Sequence, residues 1–564
     1  MVRVEDHISV PRSDAANNLN WALIAHAKAD QVHNRIPQGW ILDEEILANQ
    51  ANDITHVPDT CGLLSKREII ITSSEAKELA DQLAAKVYTS YEVTLAFCKR
   101  AAIAHQLTGC LSEIFFDKAL EAAKGIDEQY VQTGKPLGPL HGLPVSLKDH
   151  HRVEGTAAAI GYASLAFQET KAGHESEMTK IMRHLGAVLY CKTSVPVGMM
   201  SGETYNHITG YTPNPFNRSL SSGGSSGGEG ALLAMRGSPL GVGSDIGGSL
   251  RIPASFCGLY TLKPSFGRFP AYGGVESFPG QEALRNVNGP MSHSLAAIEM
   301  WSKAVIDTEP WREADPDCLP IPWREVKLPQ KLCFGFVRDD GVLRPSPSVS
   351  RALKLVIEAL EAAGHTVVQV DLPGRYNINL YKGDLYLRQG AKVIRENLEV
   401  AGEPWPRGYD HLELISAPDE PPARVSDLWQ ACMIRTRFAH QVGKLWSATK
   451  DITGTGREID ALITPCTAWP ACKRYEFGHD DYLSVWSQLD YCATVIPVTK
   501  VDQQLDAVQD IVTLNEVEAS VWQDYRVEDY ANAPVAVQLV ARRLHEEHLL
   551  AVTKVCDEAL RKVA

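Results

Sequence analysis

The segment from Ser221 to Arg251 constrains the fold more than any other part of the chain. It contains two glycine–serine turns, separated by the apolar run ALLAM. Glycine allows backbone bends that other residues make only with strain, and each turn presents a serine between neighbours too small to cover it. A flexible linker of this composition is the alternative reading. Because core-like segments flank the segment on both sides, we expect two tight turns inside a folded core.

The rest of the chain alternates between strand and helix signals. Gly142–Lys148 and Gly186–Cys191 are short apolar runs that predict buried strands. Ser176–Leu185, between them, is long enough for a crossover helix. Leu332–Val337 and Thr366–Leu372, which flank the helical pattern of 348–363, predict a further β-α-β unit. The sequence therefore predicts an α/β fold, with a large mixed β-sheet covered by helices on both faces.

Helix starts and domain limits are less sharply defined. Thr72-Ser-Ser-Glu75 and Thr89-Ser-Tyr-Glu92 both match the capping box that opens a helix. Residues 1–70 are expected to form an N-terminal helical arm packed on a single domain of residues 71–564. Residues 373–430 are rich in Pro, Arg and Asp, so we expect loops and helices there, on the substrate side of the site.

Charge and cysteine usage exclude several function classes. The net charge of −14 argues against nucleic acid or an anionic membrane as a partner, because both bind basic surfaces. Twelve cysteines are scattered without a CxxC pair, which predicts free thiols in a reducing compartment. The N-terminus lacks the apolar region of a secretory signal, and no window is apolar enough to span a membrane. We therefore expect a soluble cytoplasmic protein.

Ser249 is the candidate nucleophile. It follows Gly247 and Gly248, and this pattern lets consecutive amides point the same way and bind a negatively charged oxygen. The amides of Ile246, Gly247, Gly248 and Ser249 are thus a candidate oxyanion hole, worth roughly 10²–10³ in rate per donor. An ordinary structural turn serine is the alternative.

Ser225 and Lys148 complete the candidate site. Ser225 lies in GGSSGG, and its hydroxyl group is able to accept one hydrogen bond while donating another. Lys148 ends an apolar strand-like run, where burial would lower its pKa and make it a usable base. Side chains alternate along a strand, so Lys148 and Asp149 should point to opposite faces. A turn or N-cap serine and a surface lysine are the alternatives.

Two flanking charges and one rival motif bear on this interpretation. Asp245 and Arg251 are expected to pair and support the Ser249 loop. Gly223-Gly-Ser225-Ser-Gly227 matches the G-x-S-x-G nucleophile elbow, which requires a strand directly before it. We expect no strand over 214–219, which argues against an elbow. No phosphate-binding loop or metal-ligand spacing is present in the sequence.

Taken together, these segments resemble the amidase signature family, in particular its fungal acetamidase branch. The resemblance rests on GGSSGGEGALLAMRGSPLGVGSDIGGSLRIPASFCGLYTLKPS (Gly223–Ser265) and on GPLHGLPVSLKD (Gly138–Asp149). It extends from about Gly62 to Arg561, with the signature core over about 138–270. Ala541 departs from the family pattern, which commonly has glycine there.

The resemblance implies a catalytic triad of Lys148, Ser225 and Ser249, with a cis peptide bond before Ser225. It also implies that Met199 contributes a backbone contact near Ser225. The function implied is hydrolysis of small-molecule carboxylic amides through an acyl-enzyme, without cofactor or metal. The resemblance also implies a homodimer. An ammonia-transferring amidotransferase subunit and a catalytically silent binding homologue remain alternatives.

Overall fold

The computed structural model describes residues 20–48, 51–372, 387–420, 424–508, 512–513, 515–522 and 525–563. Fifteen strands occur in these ranges, and they are numbered here in chain order: β1 Leu111–Ile114, β2 Pro144–Lys148, β3 Val188–Thr193, β4 Tyr205–Asn206, β5 Gly210–Tyr211, β6 Pro213–Asn214, β7 Asn217–Ser221, β8 Leu240–Asp245, β9 Tyr260–Lys263, β10 Val287–Ser292, β11 Cys333–Phe336, β12 Thr366–Gln369, β13 Ala461–Pro465, β14 Cys492–Lys500 and β15 Pro534–Ala541.

Eleven of these strands form one mixed sheet, which confirms the predicted architecture. The strand order is β1-β3-β2-β8-β10-β9-β14-β15-β13-β11-β12. β2 pairs in parallel with both β3 and β8, and β11 pairs in parallel with β12 and β13, whereas the other pairings are antiparallel. The remaining strands form two small sheets, β4 with β5 and β6 with β7.

Eighteen α-helices surround the sheet within the described ranges. They are α1 Trp21–Asn34, α2 Glu44–Ala48, α3 Val57–Thr60, α4 Lys66–Ser73, α5 Ala76–Ala84, α6 Ser90–Thr108, α7 Phe116–Thr133, α8 Glu177–His184, α9 Gly227–Ala234, α10 Arg251–Phe256, α11 Leu295–Asp307, α12 Pro347–Ala362, α13 Leu387–Ala401, α14 Asp410–Ile415, α15 Val425–Ala448, α16 Asp481–Gln488, α17 Glu516–Trp522 and α18 Glu546–Val563.

The strands and crossover helices follow the sequence pattern closely. Every residue of β2, β3, β8 and β15 is buried, as expected for strands covered on both faces. α8 connects β2 to β3, and α12 connects the parallel neighbours β11 and β12. The predicted crossover helix and β-α-β unit are therefore confirmed to within a few residues at each boundary.

Of the two predicted capping boxes, one is wrong and the other forms only its N-cap half, because the Glu92 carboxylate binds Arg67 instead. Thr89 is the N-cap of α6, where its side chain accepts a hydrogen bond from the Glu92 amide. Thr72 instead lies inside α4, with its hydroxyl group donating to the Glu68 carbonyl. The capping box of that region is formed about two turns earlier, by Ser65 and Glu68.

The N-terminal segment joins the main body through a buried ion pair. Lys28 of α1 lies 2.6 Å from Glu113 of β1, and both side chains are almost fully buried. The division into an arm of residues 1–70 and a domain of 71–564 remains a prediction, and residues 1–19 lie outside the described part.

Helices α13 and α14 confirm helical structure in the 373–430 region, of which 373–386 and 421–423 are not described. In the described ranges, the helices are too short or too polar to cross a membrane.

Candidate active site

Lys148 lies at the end of β2 with its side chain fully buried. Its Nζ atom is 2.7 Å from Ser225 Oγ, 2.8 Å from Ser244 Oγ and 3.4 Å from the Ser244 carbonyl oxygen. Asp149, the next residue, accepts hydrogen bonds from the Ser112 hydroxyl and the Ile160 amide instead. The two neighbouring side chains therefore have separate partners, as strand alternation predicts.

The environment of Lys148 favours the neutral amine. Burial lowers its pKa from 10.5 to about 7, although the carboxylates of Asp245 and Glu229 act in the opposite direction. A neutral amine has two N–H donors and one lone pair. Three oxygen atoms surround it: the Ser244 carbonyl can only accept, while the two hydroxyl groups can accept or donate. The amine can therefore donate twice to Ser244 and accept the proton of Ser225.

Ser225 is held in the turn that connects β7 to α9. The peptide bond between Gly224 and Ser225 is cis, as the family resemblance implies. Gly223 has a φ of 85°, and a Cβ at Gly224 would lie 2.6 Å from the Ser201 carbonyl oxygen. Both glycines are thus required, the first by its backbone conformation and the second by the close approach of the chain.

The strand before this turn corrects one sequence-based argument. The expectation that no strand precedes GGSSGG is wrong, because Asn217–Ser221 forms β7. β7 pairs with β6 in a separate two-stranded sheet, and its Leu220 forms one isolated bridge with Lys473. It therefore lies outside the central sheet that carries the nucleophile in the elbow motif.

Ser249 lies in the loop between β8 and α10, and Asp245 organises that loop. The buried Asp245 carboxylate accepts hydrogen bonds from the Gly248 and Leu250 amides. It also accepts two from the buried Arg251 guanidinium, at 3.0 and 3.1 Å. The predicted Asp245–Arg251 pair is confirmed, and it closes the loop that presents Ser249.

The four amides of the predicted oxyanion hole are not equivalent. The Gly248 amide donates to Asp245 Oδ1 at 2.8 Å, so it already has an acceptor. Among the described residues, no acceptor lies within hydrogen-bond range of the Ile246, Gly247 or Ser249 amide. These three amides are the donors available to a substrate oxygen.

Ser225 and Ser249 line the same cavity. Its volume is about 40 Å³, room for roughly three water molecules. Within the described part of the chain, no hydrogen bond joins the two serine hydroxyl groups directly, although the Ser226 amide donates to the Ser249 carbonyl at 3.2 Å. The cavity wall consists of Met199, Met200, Ser225, Ser244, Ile246, Ser249, Glu276, Ser277, Phe278, Gln281, Arg285 and Asn286.

Met199 lies in this wall, at a turn with a φ of 55°. The carbonyl of Gly198, just before it, accepts a hydrogen bond from the Ser277 hydroxyl. The turn that carries Met199 is thereby attached to the 276–286 segment, which forms the opposite part of the wall. This segment matched no sequence motif.

Two polar residues near Lys148 were missed by the sequence analysis. Ser244 contacts the amine directly, and it immediately precedes Asp245 in β8. Glu229, in the first turn of α9, is fully buried and accepts hydrogen bonds from Ser146 and Thr193 at 2.6 and 3.0 Å. Burial raises the pKa of Glu229 to about 8. The sequence signal that could have pointed to Glu229 is a single charged residue in a run of glycine and alanine.

One group within the described ranges has the composition of a metal site, and it lies outside the cavity. Asp340, His479 and Asp481 have ligand atoms within 4.8 Å of one another. His479 Nε2 is 2.7 Å from Asp340 Oδ2, and the other oxygen of Asp340 accepts from the Val342 and Leu343 amides. These groups already partner one another, and none contributes to the wall around Ser249.

Comparison with known proteins identifies the relatives of this chain. The Amidase family model matches residues 92–550. The acetamidase of Aspergillus oryzae is 38% identical over 552 residues, covering 96% of this chain and 99% of its own length. The acetamidase of Emericella nidulans is 37% identical, with 96% and 99% covered. A solved fatty acid amide hydrolase superimposes with a TM-score of 0.89 at 32% identity, covering 96% of this chain and 95% of its own.

Proposed function

Because the chain belongs to the amidase family and is an amide-hydrolysing enzyme, we propose that Ser249 attacks the carbonyl of a small carboxylic amide. Ser225 and Lys148 serve as the proton relay. The observation that carries this proposal is the 2.7 Å contact between Lys148 Nζ and Ser225 Oγ in a buried site that favours the neutral amine.

The reaction begins with proton transfer away from Ser249. Its hydroxyl proton passes to Ser225 Oγ while the Ser225 proton passes to Lys148 Nζ, and Ser249 Oγ bonds to the carbonyl carbon. The resulting oxyanion is bound by the amides of Ile246, Gly247 and Ser249. Ser225 Oγ and Lys148 Nζ are already in hydrogen-bond contact, whereas Ser249 Oγ and Ser225 Oγ line the same cavity and come into contact when the substrate is bound.

The proton then returns to the leaving group. Protonated Lys148 gives its proton back through Ser225 to the amide nitrogen, the C–N bond breaks, and ammonia or an amine departs. The acyl group remains on Ser249 as an ester. Water attacks this ester through the same relay, which releases the carboxylic acid and restores the three side chains.

The names of two relatives support small substrates, since both are called acetamidase. We propose acetamide-sized amides as the substrate class. A cytoplasmic location and a homodimeric assembly are parts of the same proposal, and light scattering on the purified protein tests the latter.

The decisive experiment is covalent labelling of the purified chain with a fluorophosphonate, followed by peptide mapping. Modification at Ser249 is expected, and Ser249→Ala should abolish both labelling and ammonia release from acetamide. Ser225→Ala should leave Ser249 in place but slow its labelling by about 10²-fold or more, because the relay is broken. Ser302→Ala is the matched control, since its buried hydroxyl has no partner among the described residues.

Other outcomes point to other functions. Labelling at Ser225 would favour an elbow-type hydrolase, and labelling at neither serine would favour a binding protein. Efficient ammonia release by the chain alone would exclude a dependence on a partner subunit, as an amidotransferase requires.

A further inference from the structure

Phe278 forms part of the cavity wall beside the two serines. The ring packs with a hydrophobic cluster that includes Met199, Met200 and Ile394. Its backbone belongs to the 276–286 segment, and its half-buried side chain lines the cavity. The position of this ring therefore sets how much room a bound amide has.

The ring rests on a glycine of another element. A Cβ added at Gly390, in α13, would lie 2.5 Å from both Cε1 and Cε2 of Phe278, and closer still to Cζ. Carbon atoms pack at about 3.5–4.0 Å, so a methyl group here displaces either the ring or the helix. Gly390 has helical backbone, and glycine inside a helix is less favourable than alanine. Neither turn geometry nor helix stability requires glycine here, whereas the approach of the ring does.

The helix is the less movable of the two partners. Ile394 and Leu398 of α13 are 0% and 2% exposed in the same cluster. The Tyr409 hydroxyl, from the adjoining α14, donates to the Val197 carbonyl at 2.7 Å. A substitution at Gly390 should therefore be accommodated by movement of the Phe278 side chain, which lines the cavity.

We propose that Gly390 is a specificity-determining residue of this amidase. By letting the Phe278 ring recede against α13, it sets the width of the cavity and the size of the apolar alkyl or aryl group accepted next to the reacting carbonyl. The inference rests on the proposed function, because it names the substrate feature that the same site selects. It also gives the 373–430 region, which is expected on the substrate side of the site, a defined role in substrate choice.

The test compares kcat/KM for acetamide and hexanamide in four proteins besides the wild type: Gly390→Ala, Phe278→Ala, the double variant, and Gly443→Ala. Gly443 is the matched control, because it also lies within a helix and an added Cβ meets no atom within 4 Å. Gly390→Ala should lower the hexanamide-to-acetamide ratio at least tenfold, and Phe278→Ala should raise it at least tenfold, within the range that a few methylene groups provide. Gly443→Ala should leave the ratio unchanged.

The double variant separates the ring from the helix. In the Phe278→Ala background, Gly390→Ala should change the ratio less than about twofold, because the group it displaces is gone. An equal loss for both substrates, or an effect that persists without the ring, would overturn the proposal. If Gly390→Ala does not fold, an unchanged hexanamide-to-acetamide ratio in Phe278→Ala is by itself enough to overturn the proposal.

A second readout is independent of amide turnover. The labelling rates of ethyl and hexyl fluorophosphonates should follow the same order across the variants. If the wild type neither hydrolyses amides nor takes the probe, the proposed function fails. If it does both and the ratios do not respond, only the role of Gly390 fails.

Discussion

The pH dependence of the reaction tests the protonation state of Lys148. The active form has a neutral amine, and burial lowers the lysine pKa from 10.5 to about 7. For one group of pKa 7, the neutral fraction is about 0.09 at pH 6 and about 0.9 at pH 8. We therefore expect kcat/KM for acetamide to rise about tenfold from pH 6 to pH 8 and to level off above it. A lysine of ordinary pKa would instead give about a 100-fold rise over this range, continuing to pH 10.

The assay measures ammonia in quenched time points, alongside the rate of Ser249 labelling by a fluorophosphonate. The labelling rate should show the same rise between pH 6 and pH 8 as kcat/KM, because it depends on the nucleophile and not on product release. Lys148→Arg is the informative variant: its guanidinium stays charged, so activity should be lost at every pH without recovery at pH 9. A flat profile between pH 6 and pH 8 would refute the neutral-amine mechanism, and a rise centred above pH 9 would show that burial does not lower the lysine pKa.

Three further predictions concern stability, and urea unfolding measures all of them. Asp245→Asn should lower the free energy of unfolding by about 3–5 kcal/mol, because it leaves the Arg251 charge buried without its partner. Lys28→Met should lower the free energy of unfolding by a similar amount, because it leaves the Glu113 carboxylate buried without this partner. An unchanged free energy of unfolding would show that the N-terminal segment contributes little to stability. Glu229 takes up a proton on folding, since its pKa rises from 4.5 to about 8. The free energy of unfolding of the wild type should thus fall as pH rises through this window. Between pH 5 and pH 8, Glu229→Gln should gain up to about 4 kcal/mol of stability relative to wild type. An equal dependence of stability on pH in the two proteins would contradict this.

An exposed ion pair is the control for these variants. Lys77 and Asp81 lie 2.6 Å apart on the surface of α5. Asp81→Asn should change the free energy of unfolding by less than about 1 kcal/mol, at every pH tested.

Much of the fold was predictable because its signals are local. Apolar runs and caps predicted β2, β3 and α6, and the six-residue spacing was enough to suggest the Asp245–Arg251 pair. The Thr72 box failed because the helix begins about two turns earlier, where Ser65 and Glu68 offer the same pattern.

The site was predictable only in part, because proximity between distant segments is not a local property. The Lys148–Ser225 contact joins residues 77 positions apart, and it followed from the family resemblance. Ser244 and Glu229 lacked a motif of their own. The contact between Phe278 and Gly390 depends on how α13 packs against the cavity wall, and this packing cannot be predicted from the periodicity of the sequence.

The anchorage of Arg251 has a consequence for the order of events during synthesis. Its guanidinium donates to the Leu483 carbonyl, the Ser487 hydroxyl and the Gln538 amide oxygen, which lie 232, 236 and 287 residues later in the chain. A nascent polypeptide that still lacks α16 and β15 has none of these acceptors. It carries Ser249 through the synthesis of more than 200 further residues without these contacts, so the loop can reach its final form only after α16 and β15 have emerged.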